Sequence, residues 1–99
     1  MNSFELSRAA LRDLEKLRRR LHSEAGVRVA DMVEDAIFAG IPEVARLPMI
    51  GHRRPDVPDQ ALLFFYVYDY ATIFRRRPDV FVLRVIHGAR DIPNRLGRS

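Results

Sequence analysis

The run Val80-Phe81-Val82-Leu83-Arg84-Val85-Ile86-His87 constrains this chain more than any other stretch, because it is apolar at odd and even positions alike apart from Arg84. Side chains alternate across a strand, so a segment with no polar face belongs in the middle of a sheet. The run therefore reads as a central strand, packed on one side by whatever helices the chain supplies. Arg84 on such a strand needs a carboxylate partner, since a buried charge must be paired. Asp69 and Asp91 are the sequence candidates.

The helices lie upstream. Residues 2–6 alternate polar and apolar and read as a short strand ended by Ser7, a plausible N-cap. Ala10, Leu14, Leu17 and Leu21 then form one apolar stripe of an amphipathic helix of roughly four turns, with Arg12, Asp13, Glu15, Lys16, Arg18 and Arg19 on its other face. Ser23 and Gly26 punctuate. A second stripe through Val29, Val33, Ala36, Ile37, Gly40, Val44 and Leu47 completes an antiparallel helical hairpin. Pro42 has no N–H to donate and presses on the Phe38 carbonyl, so a kink or a break is expected between Gly40 and Pro42, and Pro48 ends the helix.

Residues 49–59 hold Gly51, Pro55 and Pro58 and read as an irregular connection with a short strand at 52–54. Strand-like runs at 61–67 and 71–76 flank Tyr68-Asp69-Tyr70, and the turn signal Arg77-Pro78-Asp79 leads into the central run. These three strands form an antiparallel meander. Asp91 caps a short terminal turn at 92–96. The fold class is α+β, in one domain spanning residues 1–99.

The 99 residues include no cysteine, which excludes disulfides, thiolate metal sites and a cysteine nucleophile. Residues 1–11 lack the apolar core of a signal peptide, and no stretch is long enough to span a membrane, so a cytoplasmic protein is expected. Positive charge is segregated: residues 1–50 balance eight basic against eight acidic side chains, whereas residues 51–99 carry nine arginines against five aspartates. An arginine-rich half suits phosphate or an acidic protein partner. His22, His52 and His87 have no metal-ligand spacing, and neither a metal nor a cofactor is expected. Most of Phe64, Phe65, Tyr66, Tyr68, Tyr70 and Phe74 read as core rather than as a platform for stacked bases.

Three stretches resemble the RelE/ParE superfamily of toxins from bacterial type II toxin–antitoxin pairs, and more closely its ParE side. They are Phe4-Glu5-Leu6-Ser7 with Ala10 and Asp13-Leu14, Leu47-Pro48-Met49-Ile50-Gly51, and the segment from Leu83 through Arg84, His87, Gly88, Arg90 and Asp91 to Pro93. Residues 70–76 match the third strand of that fold. The resemblance implies a toxin neutralised by a cognate antitoxin, whose disordered C-terminal segment folds against it to give a hetero-oligomer. The groove beside the helical hairpin and an open sheet edge are the expected dock.

ParE-like relatives block DNA gyrase and have no known catalytic residues. RelE-like relatives cleave mRNA on the ribosome, which requires a base, an acid and cations around the attacked phosphate. In this chain an endoribonuclease would draw on His87 with Arg84, Arg90 and Arg75. RelE-type sites use lysines and a tyrosine near the C-terminus, yet no lysine follows Lys16 and no tyrosine follows Tyr70. In an ideal strand Arg84 and His87 also point to opposite faces, unless the strand bends at Gly88. The leading expectation is thus gyrase inhibition, with Arg53, Arg54, Arg75, Arg76, Arg77, Arg84, His87 and Arg90 contacting target or antitoxin.

Overall fold

In the computed structural model, which describes residues 4–47, 50–76 and 80–88, the chain runs β1 (Phe4–Leu6), α1 (Arg8–Ala25), α2 (Val27–Arg46), β2 (Leu63–Val67), β3 (Tyr70–Arg75), β4 (Val80–His87). The four strands make one sheet in the order β1-β4-β3-β2, with β1 parallel to β4 and the others antiparallel. The apolar run is thus an interior strand, as its pattern requires. Arg77, the 77–79 turn, Pro48 and everything after Gly88, including Arg90, Asp91 and the expected terminal turn, lie outside the described residues.

Ser7 caps α1 as expected: its hydroxyl oxygen accepts from the Ala10 N–H at 2.9 Å. The helix has 18 residues, a turn longer than its apolar stripe suggested, because Ser23 is absorbed into it and only Gly26 ends it. Gly26, at φ +91°, closes α1 through its N–H to the His22 carbonyl and starts α2 at once. The second helix continues unbroken through Pro42, so of the expected kink or break the break does not occur. Pro42 is exposed, and water can satisfy the Phe38 carbonyl that the missing N–H leaves unpaired.

Both faces of the sheet are covered. Leu14, Leu17, Val33, Ile37, Ile41 and Val44 of the hairpin pack on Tyr70, Phe74, Val80, Val82 and Val85. On the other face Phe64, Ala71, Ile73 and Ile86 meet Val57 and Leu62, which come from the connection between α2 and β2. That connection had read as irregular, and it is in fact the second cover of the sheet. It is tied down by His52, which exchanges two backbone hydrogen bonds of 2.8 Å with Phe64 on the outer edge of β2.

The β2–β3 hairpin turns through Tyr68 and Asp69, and Tyr68 has φ +53°, the one non-glycine residue with positive φ among those described. A bulky L-residue in this region is strained by roughly 1 kcal/mol. Tyr68 is also 61% exposed, so burial does not compensate. Tyr68→Gly is therefore expected to raise the midpoint of thermal unfolding by a few degrees, because the strain removed outweighs the entropy that glycine adds to the unfolded chain. A lower midpoint would mean that the ring makes a stabilising contact.

Candidate functional site

The site grows from a mismatch in strand length. β1 pairs with β4 only as far as Val82, which leaves the rest of that edge of β4 without a strand. The start of α1 takes over. The Ser7 N–H donates to the Val82 carbonyl at 2.9 Å, the Ser7 hydroxyl to the Leu83 carbonyl at 2.7 Å, and Asp13 accepts the Val85 N–H at 3.0 Å. A bulge in β4 accompanies this edge, since Ile73 pairs with Arg84 but Phe74 pairs with Val82, leaving Leu83 as the extra residue.

Arg84 turns along the same edge and grips Asp13 with two hydrogen bonds, Nε to Oδ2 at 2.7 Å and a terminal nitrogen to Oδ1 at 3.0 Å. The partner of Arg84 is thus Asp13 and not Asp69. Asp13 itself is 9% exposed and does not belong to the solvent face of α1. The carboxylate's hydrogen bonds push the Arg84 pKa further up, against the opposing effect of burial. Arg84 is committed to holding α1 on β4.

His87 lies two residues beyond Val85, where β4 leaves the sheet. The ladder is regular from Arg84 to His87, so the bulge comes before Arg84 and does not bring the two side chains to one face. Instead His87 meets α1: its Nδ1 lies 2.5 Å from a terminal nitrogen of Arg20, and its ring packs on Tyr70 at 4.9 Å between centroids. An arginine can only donate, so in this contact Nδ1 is the acceptor. A cavity of about 180 Å³ opens here, walled by Asp13, Lys16, Arg20, Tyr70, Val85 and His87. Burial pushes the Tyr70 hydroxyl above its ordinary pKa, and the charge of Arg20 pulls it back. A second concavity, lined by Tyr66, Tyr68, Asp69, His87 and Gly88, shares His87 as a wall.

The remaining arginines named from sequence sit elsewhere. Arg75 pairs with Phe81 while Tyr70 pairs with His87, which puts Arg75 and His87 about 17 Å apart along the ladder. Arg76 donates to the carbonyls of Val44 at 2.8 Å, Leu47 at 2.9 Å and Ile50 at 2.5 Å, and its guanidinium lies 5.4 Å from the Phe74 ring centroid. It closes the C-terminus of α2, and burial lowers its pKa. Arg76→Met is expected to cost about 2 kcal/mol in urea denaturation, since the orphaned carbonyls lose a charged donor. No change would place those carbonyls in water. Arg53 donates to the Gln60 carbonyl, and Arg54 binds Asp56 and the Tyr66 hydroxyl, with the Asp56 hydrogen bond raising its pKa most. Both brace the connecting loop.

Lys16, Arg20 and Asp13 were missed in the sequence as site residues. Their signal was present: Lys16 and Arg20 are four apart on α1, and Asp13 falls between Ala10 and Leu17 at the spacing of the buried face.

Among the described residues no helix is long and apolar enough to cross a membrane, and no three His, Asp or Glu side chains converge as metal ligands. Residues 4–92 match the family model described as the ParE toxin of the type II toxin–antitoxin system parDE. Among solved structures, the chain is similar to one from the chromosomal ParDE TA system from P. aeruginosa, with a TM-score of 0.76 and 17% identity over 90% of this chain and 98% of that one. No curated protein sequence matches.

Proposed function

Because the chain belongs to the ParE toxin family of type II toxin–antitoxin systems, we propose that it is the toxin of such a pair, held inactive by a cognate antitoxin in the cytoplasm and acting by inhibition of DNA gyrase. The observation that carries a non-catalytic mode of action is the state of Arg84. Its Nε and one terminal nitrogen are spent on Asp13, so Arg84, three residues before His87, is held for the fold and not for a phosphorane. Arg76 is spent in the same way on three carbonyls. Arg53, Arg75 and His87 then serve as contacts rather than catalysts, and Arg77 and Arg90 are proposed as contacts on sequence alone.

An antitoxin has surface to cover. Leu11, Val27, Met32 and Phe38 of the hairpin are large, apolar and exposed, which fits a partner that folds onto this protein and repays its ordering entropy by burying them.

A second reading, cleavage of mRNA, draws support from one arrangement: His87 faces Lys16 and Arg20 across a single cavity, which is an acid–base group with two cations beside it. Toxin freed of its antitoxin separates the two readings. Loss of supercoiling with trapped cleavage complexes and intact mRNA supports gyrase inhibition; cut mRNA in a translating extract with unaffected gyrase overturns it.

A further inference from the structure

Arg8, Arg12, Lys16 and Arg20 recur every four residues along α1, and all four are exposed. Such spacing sets each charge about 6 Å above the last and about 40° further round the helix, a slanting stripe in which neighbouring like charges repel and weaken the helix. The neighbouring cations of α1 are neutralised: Arg19 pairs with Glu15 at 2.9 Å, and Arg18 reaches Glu34 at 3.2 Å. Arg8, Arg12 and Lys16 make no hydrogen bond or ion pair among the described residues. The fourth, Arg20, is itself paired with Glu24 at 3.4 Å on the helix surface, would exchange that carboxylate for a phosphate, and ends the row at His87. Overall charge balance in residues 1–50 conceals this row.

A second and independent observation stands at its far end. His87 separates the cationic cavity from the concavity of Tyr66 and Tyr68. Both tyrosines are exposed, and Tyr68 holds a strained backbone at a turn position that glycine or asparagine would fill without cost. Backbone strain beside an exposed ring is the kind of feature that clusters at contact sites.

We propose that α1 and the β2–β3 turn form a nucleic-acid surface, on which Arg8, Arg12, Lys16 and Arg20 follow the phosphates of one strand and Tyr66 and Tyr68 stack unpaired bases beyond His87. A row of evenly spaced cations matches a phosphodiester backbone, and an adjacent aromatic pair matches bases that have left a duplex. An acidic polypeptide would use the cations but has no need of the rings. The inference rests on these residues alone and stands whichever target the toxin arrests.

Fluorescence anisotropy of the full chain with labelled oligonucleotides of about 12 nucleotides tests it, comparing single-stranded DNA, single-stranded RNA and duplex DNA between about 50 and 200 mM salt. Four phosphate contacts predict a log–log salt slope near −3 on single strands. Arg12→Glu with Lys16→Glu is expected to weaken binding more than about tenfold and to flatten that slope, whereas Arg19→Ala changes affinity less than about twofold. Tyr68→Gly should abolish the preference for single strands over duplex, a loss of about tenfold, while keeping the fold. The ratio of DNA to RNA affinity reports which strand is the source. A slope near zero, or a double variant that binds as well as the parent, overturns the proposal. So does displacement by polyglutamate at equal affinity together with an unchanged Tyr68→Gly variant, which would assign the row to an acidic protein.

Discussion

Asp13→Asn is expected to destabilise the protein by about 3 kcal/mol, the cost of breaking a largely buried ion pair by removing one partner. One carboxylate here serves three donors, two on Arg84 and the Val85 N–H. An amide offers a single acceptor oxygen, so the guanidinium cannot be held by two bonds and its NH₂ group faces another donor. At roughly 4–8 °C per kcal/mol for a domain of this size, the thermal midpoint should fall on the order of 15 °C. The same substitution on an Arg84→Met background should cost much less, because the charge that Asp13 neutralises is already gone. If Asp13→Asn alone cost under about 1 kcal/mol, the pair would behave as an ordinary surface salt bridge. The attachment of α1 to β4 would then rest on the apolar contacts of Leu14 and Leu17.

The consequence reaches the candidate site, because Asp13 fixes the rotation of α1 about its axis. Lys16 and Arg20 follow it by three and seven residues on neighbouring parts of the helix surface. A loosened α1 therefore carries both cations away from His87, and the Arg20 contact to Nδ1 should be lost before the fold is.

Much of this architecture was legible in the sequence because hydrophobic periodicity reports directly on burial. Val80–His87 had to be interior, and it is, flanked by β1 and β3. Ser7 announced the start of α1, and Gly26 its end. The misreadings have specific physical causes. Asp13 was placed on the solvent face because a charge counts as polar, although Ala10, Asp13, Leu14 and Leu17 together satisfy the buried spacing. Its partner lies 71 positions away, and no local pattern reports such a contact. The connection before β2 reads as irregular because Gly51, Pro55 and Pro58 interrupt it, yet Val57 and Leu62 bury themselves on the far face of the sheet. Arg75 ends the strand beside β4, which from sequence suggests nearness to His87, but the antiparallel ladder separates the two by the full length of β3. Likewise the cationic row of α1 is masked by the eight carboxylates that balance the basic residues of 1–50. Only the pairing of Arg18 and Arg19 with carboxylates makes Arg8, Arg12 and Lys16 stand out.

Gly51→Ala should be of similar severity, at about 3 kcal/mol, for two reasons that add. Gly51 has φ +112°, a conformation that residues with a Cβ rarely adopt, and a Cβ there would lie 2.8 Å from Cζ of Phe74 and 3.4 Å from Cβ of Leu63. Phe74 cannot yield easily. It is fully buried, it meets Phe65 edge-on at 6.0 Å, and Arg76 lies over its ring. The backbone cannot yield either, since Ile50 on one side is held by Arg76 and His52 on the other is bridged to Phe64. Gly26→Ala supplies the control, because Gly26 has a comparable φ of +91° but nothing within 4 Å of the added carbon. With ψ at 167° Gly26 lies in a region essentially confined to glycine, so its replacement should cost strain energy alone, about 2 kcal/mol. The difference between the two variants in urea denaturation isolates the contact with Phe74. Equal losses would mean that the connecting loop can shift away from the core, and that the cover it places on the second face of the sheet is looser than the bridge to β2 implies. A larger loss at Gly51, with faster hydrogen exchange at the Phe64 amide, would identify Gly51 as the pivot that lets one chain bury both faces of a four-stranded sheet.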